Sequence, residues 1–204
     1  NNINQAKKTL KTVENKINIR NFTPGEVCTY YFYRGRVNAI SLNIKEAHDD
    51  LLKAYESCPL RFEQNRRLIL LYLIPVQFFY GKLPTTKKGL IEHYRLEIFT
   101  AFANAIVLGR IRAFDRSLQE NQITLIKLGI YQLISSARKL VYYQILKCVY
   151  EQFGSNKMPV RVFHEALLIK DKYDENDDYD DDDEDTEFDY SIDDAESIVS
   201  NLIE

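Results

Sequence analysis

Between Leu68 and Tyr80 almost every residue is apolar or aromatic, and this run, inside RRLILLYLIPVQFFYGKLPT from Arg66 to Thr85, narrows what the chain can fold into. A membrane span would need roughly 20 unbroken apolar residues. This run is shorter and is flanked by Arg66, Arg67 and Lys82. A helix apolar on most of its sides is stable only where other helices enclose it. Pro75 removes one backbone donor and predicts a kink, and Gly81 followed by Pro84 predicts a firm stop. The expectation is therefore one bent, buried helix with the other segments wrapped around it.

The flanking segments have the pattern needed to wrap it. Ile3 to about Arg20 places Ile3, Ala6, Leu10, Val13 and Ile17 at helical spacing, with lysines on the other face. Thr23 reads as an N-cap and Pro24 as the first residue of a helix running to Ile40, in which Gly35 marks the close approach of a neighbour. A second helix follows over Asn43–Cys58, with Ala47, Leu51, Leu52 and Tyr55 on one face. Helix, short turn, helix is the unit of a helical-repeat protein, and YRGR with AYESC resembles the tetratricopeptide pattern.

Beyond the central run, Thr85 or Thr86 caps a short helix to His93. Helices are then expected over Leu96–Leu108, stopped by Gly109, and over Ile111 to about Glu120. A long helical run over Ile123–Phe153 is expected to bend or break near Gly129 or Ser135-Ser136, and Gly154 and Ser155 end it. Met158–Ile169 returns to helix, with Val162, Ala166 and Leu167 inward. Ser191–Ile203 is a last helix, capped by Ser191, with Ile192, Ala195, Ile198, Val199 and Leu202 as its apolar stripe.

Charge is distributed unevenly. The formal net charge is -3, but residues 1–170 carry a net of +13 and residues 171–204 a net of -16. Within the acidic part, DDYDDDDEDTEFD repels itself and offers little apolar surface, so residues 171–189 are expected to be a disordered insertion that interrupts a domain. The basic body suits nucleic acid or an acidic protein as partner, although on charge alone a solvated helical surface is the simpler reading. Cys28, Cys58 and Cys148 are widely spaced in apolar helical contexts and read as reduced core thiols of an intracellular protein. The chain begins at Asn1 and stops inside an apparent helix, which predicts a fragment of a longer protein.

No catalytic constellation emerges. His48, His93 and His164 lie on separate helices without ligands at metal spacing and read as surface residues. No CxxC occurs, and Gly81-Lys82-Leu83 lacks both the upstream glycine and the hydroxyl of a phosphate loop. The acidic run lacks the glycine of a calcium loop. Tyr30, Tyr31, Tyr33, Tyr142 and Tyr143 could stack bases, but helical spacing favours packing between helices. The expectation is no metal, no cofactor, no membrane segment and no enzyme activity.

The residues YYFYRGRVNAISLNIKEAHDDLLKAYESCP, followed by the LYLIPVQFFYGKLPT block, resemble the PCI-domain family, in particular the branch containing the PCI subunit of the TREX-2 nuclear mRNA export complex. The similarity continues through LEIFTAFANAIVLGRIRAFDRSL, IKLGIYQLI and LVYYQILKCVY, covers roughly Thr29 to Ile169, and resumes at Ser191. It implies an all-α chain of TPR-like helical repeats, a right-handed solenoid over 1–154, followed by a partial winged helix over 155–204. In that arrangement Pro159–Ile169 is an early winged-helix helix and Ser191–Ile203 precedes wing strands that this sequence does not reach.

The same resemblance implies a noncatalytic scaffold subunit of a TREX-2-like complex. Its implied partners are a large Sac-family scaffold, a small acidic Sem/DSS-family protein and mRNA. Its implied location is the nucleus, at the nuclear pore, with the cytoplasm as the alternative. The competing reading is a PCI subunit of a signalosome-like or proteasome-lid-like assembly, and a more distant one is a standalone helical-repeat adaptor. Winged-helix proteins hold phosphates with basic side chains. The candidate nucleic-acid residues are accordingly Lys82, Lys87 and Lys88 after the central helix, and Arg138, Lys139, Lys157, Arg161 and Lys170 around the winged-helix region.

Overall fold

The computed structural model describes residues 3–14, 22–83, 88–154, 157–174 and 190–203. All regular structure among them is helical: α1 (Ile3–Glu14), α2 (Pro24–Ile40), α3 (Ile44–Ser57), α4 (Glu63–Phe78), α5 (Lys88–His93), α6 (Ile98–Leu108), α7 (Ile111–Glu120), α8 (Gln122–Leu128), α9 (Tyr131–Ser136), α10 (Arg138–Phe153), α11 (Val160–Asp174) and α12 (Ile192–Ile203). None of these helices is long and apolar enough to cross a membrane. The chain divides into two compact units, one of Asn1–Phe99 with Thr124–Ile134 and one of Thr100–Ile123 with Ser135–Glu204.

In the first unit α2 and α3 form an antiparallel pair set by local chemistry. Thr23 accepts from the Glu26 amide while the Glu26 carboxylate accepts from the Thr23 amide at 2.9 Å, a complete capping box with Pro24 at the first helical position. Gly35 is buried against α3, and a Cβ built there would stand 2.7 Å from Leu51 Cγ and 3.0 Å from the Leu51 backbone nitrogen. The close approach expected at Gly35 is therefore a glycine packed on a leucine. Beside it, Arg34 places Nε 2.8 Å from Asp50 Oδ2 and Nη2 2.5 Å from Oδ1, and Asn38 donates to the same carboxylate at 3.1 Å. This three-donor clasp lets Asp50 sit only 2% exposed.

The central helix α4 buries Ile69, Leu70, Leu71, Tyr72, Leu73, Ile74, Pro75, Val76 and Phe78, and it continues through Pro75. It starts at Glu63, a turn earlier than the hydrophobic run suggests, because Phe62 O accepts the Arg66 amide and an acidic residue occupies the first turn. Arg66 is consequently a buried clamp and not a solvent flank. Its Nη1 donates to Cys58 O at 2.7 Å and Tyr55 O at 3.2 Å, its Nε donates to the Tyr94 hydroxyl at 3.1 Å, and its guanidinium lies over the Tyr55 ring. Tyr72 donates to Leu128 O at 2.7 Å, tying α4 to the end of α8.

Two expectations need correction in this unit, the placing of His48 and the start of α6. His48 is buried, because it shares the inward face of α3 with Ala47, Leu51 and Ala54, and its ring packs on Tyr80 at 4.5 Å between centroids. α5 begins at Lys88, and the Thr85 or Thr86 cap lies outside the described residues, as does the stretch of the first helix from 15 to 20. α6 begins at Ile98, since Leu96 hydrogen-bonds back to Ile91 O and closes α5. Cys28 and Cys58 are buried thiols here. Burial, and after it the neighbouring Cys58 thiol, push the Cys28 thiol up to about 11, which suits a reduced core cysteine.

In the second unit α7, α10, α11 and α12 pack together around Phe114, Ala137, Val141, Ile145, Phe163, Leu167 and Ala195. Gly109 closes α6 with φ 67°, and a Cβ there would meet Ile145 Cγ1 at 3.0 Å. The long run from Ile123 to Phe153 is three helices. α8 stops at Gly129 (φ 72°), and a second break falls at Ala137, one residue past the serine pair. Gly154 ends α10 in the left-handed conformation, its amide bonded to Tyr150 O at 3.0 Å.

Further corrections belong to this unit. α11 runs to Asp174, so the first four residues expected in the disordered insertion are helical; Asp171-Lys172-Tyr173-Asp174 still mixes charge signs before the uninterrupted acidic run begins. The rest of the expected insertion lies outside the described residues. Cys148 is exposed and is not a core thiol. His164 is half-buried rather than a surface residue, with its Nε2 2.5 Å from Tyr190 O. α12 starts as its sequence predicts: the Ser191 hydroxyl donates to Asp194 Oδ2 at 2.7 Å and accepts from the Asp194 amide at 3.1 Å.

Candidate nucleic-acid interface

The basic residues singled out in the sequence fall into different environments. In the first unit, Lys82 is exposed just past α4, where Gly81 takes φ 66° and the Lys82 amide bonds Gln77 O. Lys87 lies outside the described residues, and Lys88 opens α5 with no described side chain.

The other five are in the second unit. Arg138 opens α10, and its guanidinium is engaged by a carboxylate: Nε stands 2.7 Å from Asp115 Oδ1 and Nη2 2.6 Å from Oδ2. Its Nη1 donates to the Tyr142 hydroxyl. Burial is the largest single influence and works against its charge, but the hydrogen bonds to Asp115 together with the electrostatic pull of Tyr142, Asp115 and Tyr190 outweigh it, so its pKa lies above the ordinary arginine value. Arg138 is thus a fork that joins α7 to α10, its planar face already committed to Asp115. The network continues from Tyr142 to the Tyr190 hydroxyl at 3.3 Å, and from Tyr190 O to His164 on α11. Tyr142, only 7% exposed, has its pKa raised, by burial first and then by the Tyr190 hydrogen bond.

Asp115 and Tyr190 were not legible as partners of Arg138. They lie 23 and 52 positions from it, and no local spacing links them. Tyr190 is 9% exposed and fixes the chain immediately ahead of α12.

Lys139, Lys157, Arg161 and Lys170 form the more accessible set. Lys139 is exposed beside Arg138 on α10, and Lys157 is exposed ahead of α11. Arg161 makes an exposed ion pair with Glu165 one turn on, at 3.1 Å. Lys170 donates to Leu108 O at 3.1 Å. Nine residues separate Arg161 from Lys170 on α11. At 100° and 1.5 Å per residue they face opposite sides of the helix, about 13 Å apart along its axis. One phosphate cannot bridge them, so as a set they outline a broad basic rim and not a single anion pocket. Between α10 and α11 lies an apolar groove of about 490 Å³ walled by Ile145, Val149, Phe153, Val162, Ala166 and Ile169, with Lys170 at its edge.

Among the described residues no group of three His, Cys, Asp or Glu side chains could hold a metal ion. The features present among the described residues are helix faces, a groove and exposed cations, carried on an all-α fold.

Comparison with known proteins makes the class specific. No protein-family model matches the chain. Curated relatives nevertheless match along its whole length. A PCI domain-containing protein 2 homolog of Dictyostelium discoideum is 33% identical over 205 residues, covering 100% of this chain and 44% of that protein. The Drosophila melanogaster protein of the same name is 31% identical over 203 residues, covering 100% and 47%. A Protein CSN12 homolog of Yarrowia lipolytica is 26% identical over 207 residues, covering 98% and 48%. The chain belongs to the PCI-domain family, and it spans about half the length of the curated relatives it matches.

Proposed function

We propose that this chain is part of a noncatalytic scaffold subunit of a TREX-2-like complex that couples transcription to nuclear mRNA export. The observation that carries the reading is the match, over the whole chain, to proteins named PCI domain-containing protein 2 homologs. In this reading the subunit joins a Sac-family scaffold and a small acidic Sem/DSS-family protein through its winged-helix edge, works in the nucleus at the nuclear pore, and adds basic side chains to a shared RNA-binding surface.

Lys139, Lys157 and Arg161, which are exposed, and the half-buried Lys170 are the second-unit residues suited to that surface, since accessible cations hold phosphates without reading sequence. Arg138 is withdrawn from it by Asp115. Charge reversal of Lys157, Arg161 and Lys170 together weakens RNA binding by the assembled complex and flattens its salt dependence; unchanged affinity and slope would remove these residues from the interface.

A second reading has its own observation. Similarity to a protein named CSN12 homolog favours a PCI scaffold of a signalosome-like or proteasome-lid-like assembly. Purification of the tagged full-length protein from its native cell separates the two. A Sac-family scaffold, a Sem-like protein and polyadenylated RNA recovered in stoichiometric amounts support export. Signalosome or lid subunits without RNA support the second reading, and a lone monomer overturns both.

A further inference from the structure

Helix α1 carries a cluster of cations outside every site discussed so far. Lys7, Lys8 and Lys11 are all exposed. Taking Lys7 as zero, 100° per residue puts Lys11 at 40° and Lys8 at 100°, so the three ammonium groups share one face within about 6 Å of helix axis. Ala6 and Leu10, at -100° and -60° on the same wheel, are half-buried, and α1 contacts α2. Arg34, Arg138 and Arg161 are each held by a carboxylate, whereas the stretch of α1 around the three lysines, Gln5 to Thr12, contains no acidic residue.

We infer that the Lys7/Lys8/Lys11 face of α1 is a phosphate-backbone contact for single-stranded nucleic acid, separate from the basic residues of α11. Three features choose nucleic acid over an acidic protein. The face is built from lysine, which is depleted from the cores of protein interfaces. It has no exposed apolar or aromatic anchor among its described neighbours from Gln5 to Thr12, and protein interfaces draw most of their energy from such anchors. The nearby threonine hydroxyls donate within the helix, Thr9 Oγ1 to Gln5 O at 3.0 Å and Thr12 Oγ1 to Lys8 O at 2.9 Å, so the ammonium groups are the dominant donors on this face. What is left is a compact point-charge array on a rigid helix. It attracts phosphates through counterion release and is indifferent to sequence.

The inference deepens the nucleic-acid part of the proposed function and rests on it. The test measures binding of fluorescein-labelled single-stranded oligouridine to the full-length protein by anisotropy, between about 50 and 200 mM salt. Wild type is compared with the triple variant K7Q/K8Q/K11Q and, in parallel, with K157E/R161E/K170E. Lysine and glutamine have similar helix propensity, so K7Q/K8Q/K11Q keeps the wild-type circular dichroism and melting temperature.

Each lysine that neutralises a phosphate of a single strand adds about 0.7 to the slope of log affinity against log salt. Removing all three ammonium charges therefore shrinks that slope by about 2, and affinity at about 0.1 M salt falls by up to about a hundredfold. An α1 variant with unchanged slope and affinity overturns the inference while K157E/R161E/K170E decides the α11 assignment on its own. Failure of wild type to bind at low salt overturns both. Competition by poly-glutamate as effective as that by unlabelled oligouridine would assign the face to an acidic protein instead.

Discussion

Gly35→Ala isolates the contact that sets the spacing of α2 and α3. Replacing a mid-helix glycine by alanine ordinarily stabilises by up to about 1 kcal/mol through helix propensity. Here the new methyl would stand 2.7 Å from Leu51 Cγ and 3.0 Å from both Leu51 Cδ2 and the Leu51 backbone nitrogen. Cγ is not the free end of the side chain and the nitrogen belongs to α3 itself, so relief requires the helices to move apart. Overpacking of a tight core costs about 1–3 kcal/mol, and contacts this short with backbone belong in the upper half of that range. The net effect is a loss of about 1–2 kcal/mol. At about 2–4 °C per kcal/mol for a chain of this length, Gly35→Ala lowers Tm by several degrees. Differential scanning calorimetry measures it. Leu51→Ala alone costs about 2–5 kcal/mol as a cavity, but in the Gly35→Ala background the two changes partly fill each other's space. The double mutant is therefore less destabilised than the sum by at least about 0.5 kcal/mol. A Tm raised by Gly35→Ala, or strict additivity with Leu51→Ala, would refute the argument that the glycine is there for its size.

Other perturbations probe the second unit and the helix caps. Arg138→Lys keeps the charge but loses the planar fork on Asp115, lowering stability by about 1 kcal/mol while leaving RNA affinity unchanged; a loss of affinity as large as that of K157E/R161E/K170E would return Arg138 to the binding surface. Tyr142→Phe leaves the Arg138 Nη1 donor and the Tyr190 hydroxyl short of a buried partner and costs about 1–2 kcal/mol in denaturant unfolding, and an unchanged midpoint would show that the network is idle. Glu26 is held below the ordinary carboxylate range by the Thr23 backbone and then its side chain, and Asp194 by the Ser191 side chain and then its backbone. Because both pKa values are lower in the folded state, their contribution is full above the unfolded value and is lost as pH falls through the folded one. Amide exchange at the first turns of α2 and α12 therefore speeds up as pH falls below about 4, after correction for the intrinsic rate; Ser191→Ala removes the leading bond to Asp194 and weakens the response at α12 more than Thr23→Ala, which keeps the leading backbone bond to Glu26, weakens it at α2.

Much of the fold is legible in local pattern. The capping boxes at Thr23 and Ser191, the stops at Gly109, Gly129 and Gly154, and the buried run of α4 each depend on residues within a turn of one another, where helix chemistry is decided. Helix ends shifted where a non-local or mixed-sign context intervened. α4 gained a turn through Phe62 and Glu63, and α11 ran on to Asp174 because the charges there still alternate.

The candidate interface was legible as charge but not as accessibility. Arg66, Arg138 and Lys139 look alike in the sequence, yet one is a buried clamp on Cys58 and Tyr94, one is a fork on Asp115, and one is exposed. His48 and Cys148 exchanged their expected places for a similar reason: the sequence shows helical period, but which arc of the period meets a neighbour is set by the neighbour. The sequence by itself determined an all-helical chain with a basic body and an acidic stretch, since propensity, capping and composition act over a few residues. Only the tertiary structure decided which charges are spent on holding it together, because a carboxylate such as Asp115 or a carbonyl such as Cys58 O reaches its cation only after the helices have packed.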